Sequence, residues 1–441
     1  MKYQKLAALL FISLSLYQQA FSQQKTLDSQ TKSAVIDSVC RALIRNYIFQ
    51  DTASEMVAYI NKRQREKAYD TITNPSHFAA LIAHDVRQVL NDRHINFIYN
   101  PFLEKRILEP AKASPAKGQF VQKDAKENFA FKKLEILPGN IGYMEFTSFS
   151  DTSDLARKTV RAAMQFLSNT DVLIIDLRSN YGGSGPMVAE MTTYFFNGKT
   201  HSGRTFNGIN KTWQESYIEP DPSVTQGLYM GMPVYLLVSN KTISGGEAFA
   251  YTLQTLRKAI VFGEKTVGSV HLSRTFALGN GFIGFIPISR SENLVTKTDP
   301  EGKGIVPDIP GEQDSALWKA EEFILTRKLD TTQDKTEQSK ITWELNALRG
   351  RHEMIIVPKE EMEQYTGDFD GILFSVENDK LVFTNTHSNN RTDFLTPISG
   401  SLFQIDFQSQ VEFVKDGTGK VSSIRLYWND GWIDTFQKSA K

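Results

Sequence analysis

One cysteine in 441 residues excludes a disulfide framework and any cysteine-held zinc or iron–sulfur centre. An excess of one charge is missing too. Fifty Lys and Arg balance 50 Asp and Glu, so the chain lacks the basic footprint of a nucleic-acid binder. The longest apolar run, from Leu6 to Leu16, is about 11 residues, well short of the roughly 20 that a membrane span needs. What is present is an ordinary globular composition, 40% hydrophobic, 11% aromatic and 23% charged. The length calls for more than one hydrophobic core.

Lys2 and Lys5 precede that apolar run, and the small residues Ala20 and Ser22 follow it at cleavage spacing. Residues 1–22 therefore read as a secretory signal peptide, and the expected location is periplasmic or secreted, with no transmembrane segment in the mature chain. Cys40 lies among Val39, Leu43, Ile44 and Ile48 at helical spacing, which points to a buried structural thiol and not to a nucleophile.

Residues 23–100 read as an N-terminal helical bundle. Its clearest helix has Asn74 as cap, Pro75 in the first turn and Phe78, Leu81, Ile82, Val86 and Val89 on one face. Residues 101–138 are Lys-, Ala- and Pro-rich and read as a connection with one short strand at most. From 139 to 328 strands and helices alternate. DVLIIDLR and PVYLLVSN are apolar throughout, as strands buried on both faces of a largely parallel α/β sheet are. A polar stretch, 329–342, reads as a linker. The remainder, 343–441, has short alternating runs between turn signals such as Asn378-Asp379 and Asp416-Gly417 and is expected to be an all-β domain.

Two strand-to-helix turns could carry chemistry. In DLRSNYGGSGP the strand ends at Asp176 and the Gly182-Gly183 turn follows. Bare N–H groups at such a turn suit a developing negative charge, although a plain tight turn has the same appearance and the phosphate-loop spacings are absent. In KTISGGEAFA, Ser244 stands at the next such turn. A nucleophile belongs there, but Ser244 and Glu247 also spell the capping box S-x-x-E, and this motif alone favours a plain helix cap; the second glycine turn at the neighbouring crossover is what shifts the reading toward a nucleophile. A serine nucleophile needs a base. His77 and His84 fall on the polar side of a helix, His201 in a loop, and His352 and His387 in or near the tail. His94 and His271 remain, and spacing alone does not choose between them.

Taken together, DLRSNYGG, KTISGGEAFA, GEKTVGSVHLS, FALGNGFIGFIPISR and PEGKGIVPDI, in that order over 141–309, resemble the catalytic core of the tail-specific, or C-terminal processing, serine peptidases. The bundle ending in DRHINF is similar to the N-terminal region of the branch that includes tricorn-core peptidases and interphotoreceptor retinoid-binding protein. The resemblance implies a ClpP/crotonase-like core with Ser244 as nucleophile and the N–H of Gly245, with that of Gly182 or Gly183, as oxyanion hole. Where the lysine-dyad branch carries its base, this chain has Ser269 after Gly263-Glu264-Lys265-Thr266-Val267-Gly268. The tricorn-like branch implies His94 as base, oriented by Glu301. Lys265 and His271 are the alternative bases. Residues 101–138 leave no room for a PDZ domain, which suits the same branch.

The expectation is an exported serine endopeptidase acting on polypeptides, with no cofactor and no metal. A non-catalytic binding protein for apolar ligands or peptides on the same fold is the alternative, and an acyl-thioester enzyme is a third reading that export disfavours. The tail aromatics Tyr427, Trp428 and Trp432 read as core before they read as a ligand surface.

Overall fold

The computed structural model describes residues 27–109, 124–225 and 228–439. The leader expected at 1–22 and part of the 101–138 connection lie outside them. Among the described residues no helix is long and apolar enough to cross a membrane.

Three helices open the described residues: α1 (Ser29–Asn46), α2 (Gln50–Arg65) and α3 (Pro75–Val89). Asp28 and Asn74 cap α1 and α3 through their side chains, accepting from Thr31 N and His77 N. Their apolar faces do not close on one another alone. Strand β1 (Asn96–Tyr99) pairs with a strand nearly two hundred residues later, and the bundle core continues into Leu278, Phe282 and Ile286. The bundle is thus one wall of a core it shares with the strands that carry those residues. Cys40 is half-buried within it, and burial pushes its thiol up to about 11.

The connection expected over 101–138 contains more structure than its composition suggests. Helix α4 (Pro101–Leu108) follows β1, and strand β2 (Phe131–Leu137) closes the segment. The Glu104 carboxylate, buried, accepts the Gly281 N–H at 2.5 Å, a tertiary anchor that no local pattern encodes.

The core sheet has six strands. Beside β2 lies β3 (Ile141–Phe146), then β4 (Val172–Asp176), β7 (Val234–Val238), β8 (Ala259–Gly263) and the short β11 (Ile309–Pro310). All neighbours are parallel except β2 with β3. Every residue of β4 and β7 is buried, since both faces of the sheet are covered. On one face pack α5 (Asp154–Leu167), α6 (Gly185–Thr193) and α7 (Gly245–Thr255). On the other pack α8 (Ala316–Thr331) and α9 (Lys335–His352).

Helix α9 corrects the reading of 329–342 as a linker. Asp334 caps it by accepting from Glu337 N at 2.9 Å, and Ile341, Leu345 and Leu348 are buried against the sheet. Those three recur at i, i+4 and i+7, but polar residues outnumber them, so the helix becomes legible only beside the surface it covers.

A second sheet, wholly antiparallel, joins β1 to strands β10 (Phe282–Asn293), β5 (Thr200–Asn207), β6 (Thr212–Ile218) and β9 (Leu272–Gly279). The α/β alternation read over 139–328 does not contain it. Its strands enter between the parallel ones and tie the core to the bundle. The tail, from Gly367 to Gln437, is built from two antiparallel sheets of four and five strands around one aromatic-rich core. Trp428 packs against that core, whereas Trp432 is exposed.

Candidate active site

The carboxyl ends of β4 and β7 bring the two turns together. Beyond β4, the buried Asn180 donates from Nδ2 to Phe146 O at 3.1 Å and accepts the Gly182 N–H at 2.9 Å. Beyond β7, Thr242 donates to Leu177 O at 2.8 Å and accepts from Ser239 N at 2.9 Å. These bonds bind each turn to the neighbouring strand, so neither depends on loop rigidity alone. Ser244 then adopts φ 57° and ψ −118° as α7 begins, a conformation that costs a non-glycine residue about 1–3 kcal/mol and that clusters at functional sites.

The glycine turn is pressed against this serine. A Cβ on Gly182, whose φ is +90°, would stand 2.7 Å from Ser244 Cβ and 3.0 Å from its Oγ. A Cβ on Gly183, at φ +131°, would fall 2.2 Å from Phe149 O. Glycine is required at both for close approach and for the positive φ. The Gly182 N–H is already committed to Asn180. Gly183 N lies 3.3 Å from where a Cβ on Gly245 would be, so the Gly183 turn is packed closely on the start of α7.

Glu247, read from the sequence as a cap partner, does far more. Fully buried, its carboxylate accepts from Ser244 N at 3.2 Å, Thr266 Oγ1 at 2.5 Å, Gly268 N at 2.6 Å and Ser269 N at 2.8 Å. It pins the 266–269 loop to the start of α7. Ser269 O in turn accepts the Ser244 N–H at 2.9 Å.

His94 reaches the same place from the end of the bundle. Asp92, buried, accepts the Tyr47 hydroxyl at 2.9 Å and the His94 N–H at 2.9 Å, and this fixes the loop. His94 Nδ1 is 3.3 Å from Glu301 Oε1 and 3.6 Å from Asp92 Oδ1. Its Nε2 is 2.9 Å from Ser269 Oγ. Burial pulls the imidazole down, but the Asp92 and Glu301 carboxylates outweigh it and push the pKa up to about 9. Glu301 is held by its other oxygen, which accepts from Val270 N at 2.7 Å and His271 N at 3.0 Å. His271 is buried, with Nε2 3.1 Å from Asp299 Oδ2.

The structure therefore brings together Ser244, Gly182, Gly183 and Gly245 at one centre, and His94 and Glu301 at the adjoining one. The hydrogen bond at His94 Nε2 goes to Ser269 and not to Ser244. Lys265, one of the alternative bases, is exposed. Sequence reasoning did not single out Ser269, Asp92 or the larger role of Glu247. The signal for Ser269 was the departure at the lysine position.

Residues 140–310 match the model of peptidase family S41. The matched residues include the core sheet except β2, the second sheet except β1, and Ser244, Ser269 and Glu301, while His94 lies before them in the bundle. Two curated relatives from Arabidopsis thaliana are similar to this chain. Carboxyl-terminal-processing peptidase 2, chloroplastic, is 28% identical over 182 residues, covering 40% of this chain and 33% of that protein. Carboxyl-terminal-processing peptidase 1, chloroplastic, is 25% identical over 206 residues, covering 45% of this chain and 40% of that protein. The chain thus spans a third to two fifths of the length of these relatives. A crystal structure of a Parabacteroides merdae protein overlays with a TM-score of 0.49 at 19% identity, over 67% of this chain and 96% of that one.

Proposed function

We propose that this chain is an exported serine endopeptidase whose S41 domain cleaves polypeptides with Ser244 as nucleophile. The observation that carries the reading is Ser244 itself, in a left-handed conformation at the start of α7 and packed on the Gly182-Gly183 turn. A helix cap has no need of that backbone or of paired glycines at contact distance. A nucleophile beside an oxyanion hole needs both.

In this mechanism Ser244 Oγ attacks the scissile carbonyl and its proton passes to His94 Nε2. Ser269 Oγ, bonded to that nitrogen and carried by a residue backbone-paired to Ser244, would relay the proton. Glu301, aided by Asp92, holds Nδ1 and stabilises the imidazolium. The oxyanion is received by the N–H groups of Gly183 and Gly245, while Gly182 shapes the turn and its own N–H serves Asn180. His94 returns the proton to the leaving amine, and water then hydrolyses the acyl-enzyme with the same group as base.

The test is fluorophosphonate labelling with a peptide-library cleavage profile of the wild type, Ser244→Ala and His94→Ala. Wild-type protein should label and cleave, and both variants should lose at least about 10⁴-fold in kcat/KM, because the catalytic groups act as a unit. Labelling that persists in Ser244→Ala removes it as nucleophile. Wild-type protein that neither labels nor cleaves sinks the peptidase reading.

A further inference from the structure

Two histidines and a carboxylate meet behind the proposed base. One ring nitrogen of His94, one of His271 and a Glu301 oxygen lie within 4.8 Å of one another. His94 Nδ1 is 3.3 Å from Glu301 Oε1, and His271 Nδ1 is 3.6 Å from Glu301 Oε2. Both separations are long for a charge-assisted hydrogen bond, which falls near 2.7–2.9 Å. The 3.3 Å separation matches the edge of a tetrahedron around zinc, about 3.3–3.5 Å when the metal–ligand bonds are about 2.0–2.1 Å, and the 3.6 Å one, to the other Glu301 oxygen, is slightly longer.

The protonation pattern points the same way. His271 Nε2 faces the Asp299 carboxylate at 3.1 Å and must be the donor, because a carboxylate only accepts. In the neutral ring this leaves a lone pair on Nδ1. That atom is buried, faces Glu301 and has no hydrogen-bond partner among the described residues. A lone pair aimed at a carboxylate in a buried site is unfavourable without a cation between them. His94 turns Nε2 to Ser269 and Nδ1 to the Glu301 and Asp92 carboxylates, so its Nδ1 carries a proton in the metal-free chain, and a bound ion takes the place of that proton. A second partner on the far ring nitrogen is how metal-binding histidines are oriented, and the carboxylate–histidine pair Asp299–His271 is one such arrangement.

We propose that His94, His271 and Glu301 form a binding site for a divalent cation of the zinc class, and that filling it switches the peptidase off. The inhibitory half rests on the reading of His94 as base, whereas the binding half does not. A neutral imidazole that ligates metal through Nδ1 carries its proton on Nε2 and has no lone pair left to take one from serine. The metal also occupies the Glu301 oxygen that would otherwise stabilise the imidazolium. The ligands are spread over the bundle and two loops of the S41 domain, so a bound ion also ties the bundle to the core.

The experiment titrates chelator-stripped full chain with Zn²⁺ by calorimetry and with Co²⁺ by visible absorption. Peptide cleavage is followed separately across the same Zn²⁺ range. The wild type should bind one Zn²⁺ per chain and lose cleavage in step with occupancy. His271→Gln should bind Zn²⁺ at least about 100-fold more weakly, cleave at a metal-free rate within about threefold of wild type and resist inhibition. Asp299→Asn, which spares every ligand, should weaken binding by about 10–100-fold and serves if His271→Gln misfolds. Absence of one-to-one binding, or equal affinity in the wild type and both variants, overturns the site. One-to-one binding through His271 with cleavage unaffected at full occupancy overturns the switch. Binding in a chain that cleaves nothing sinks the peptidase reading and leaves the metal site standing.

Discussion

The hydroxyl of Ser269 stands 2.9 Å from His94 Nε2, while the carbonyl of the same residue accepts the Ser244 N–H at 2.9 Å. One residue thus touches the proposed base through its side chain and the proposed nucleophile through its backbone. Ser269→Ala removes the relay and leaves the backbone pairing. It should lower kcat by about 10–100-fold with KM little changed, less than the roughly 10²–10⁴-fold of the general base itself, which stays in place. Steady-state cleavage of a fixed peptide measures this, and a rate equal to or above wild type would show that the hydroxyl merely blocks His94.

Glu247 is the buried anchor of the same region, accepting four hydrogen bonds from Ser244, Thr266, Gly268 and Ser269. Glu247→Gln turns one acceptor oxygen into a donor facing N–H and O–H groups. A destabilisation of about 2–4 kcal/mol is expected, together with loss of labelling at Ser244. Urea unfolding and fluorophosphonate labelling measure the two effects.

With metal removed by chelator, His94 should set the alkaline rise of activity. Its pKa is pushed up to about 9 by Asp92 and Glu301 against the opposing effect of burial, so the ring holds its proton at neutral pH and becomes a base only as pH rises. The value of kcat/KM should climb about tenfold per unit up to about pH 9 and then level off. Asp92→Asn should move that midpoint to lower pH. A profile already flat from pH 7 would contradict the assignment of His94.

Glu321, on α8, offers a stability test away from the site. Burial pushes its carboxyl up to about 7, against a partial opposing pull from Arg351. Between its unfolded value near 4.3 and 7, the native chain holds a proton that the unfolded chain has lost. Its contribution to stability is therefore complete at acid pH and declines as pH rises through that window. Glu321→Gln should be more stable than wild type by about 1–3 kcal/mol at pH 8 and about equal to it at pH 4. Denaturant unfolding at the two pH values checks both statements.

Part of this molecule is legible residue by residue. The alternation over 139–328 announces the buried strands β4 and β7, and both glycine-bearing turns fall where their ends predict. Ser244 was visible at its turn, but its motif reads first as a cap, and the structure holds the capping box together with the φ of 57° and the packing against Gly182 on which the nucleophile proposal rests. The apolar setting of Cys40 was also readable, and its raised thiol agrees. Helix α9 was not, because its apolar residues are few and gain meaning only from the sheet beneath them.

The sequence by itself determined the elements whose causes are local: periodicity, caps, turn glycines and the buried parallel strands. Tertiary structure alone decided the antiparallel sheet that closes the bundle, the meeting of His94 with Ser269 across 175 residues, and the cluster of His94, His271 and Glu301. The reason is physical. A helix or strand is selected by neighbours a few positions away, whereas a proton path or a ligand set is selected by distances of about 3 Å between side chains that only the completed fold brings together.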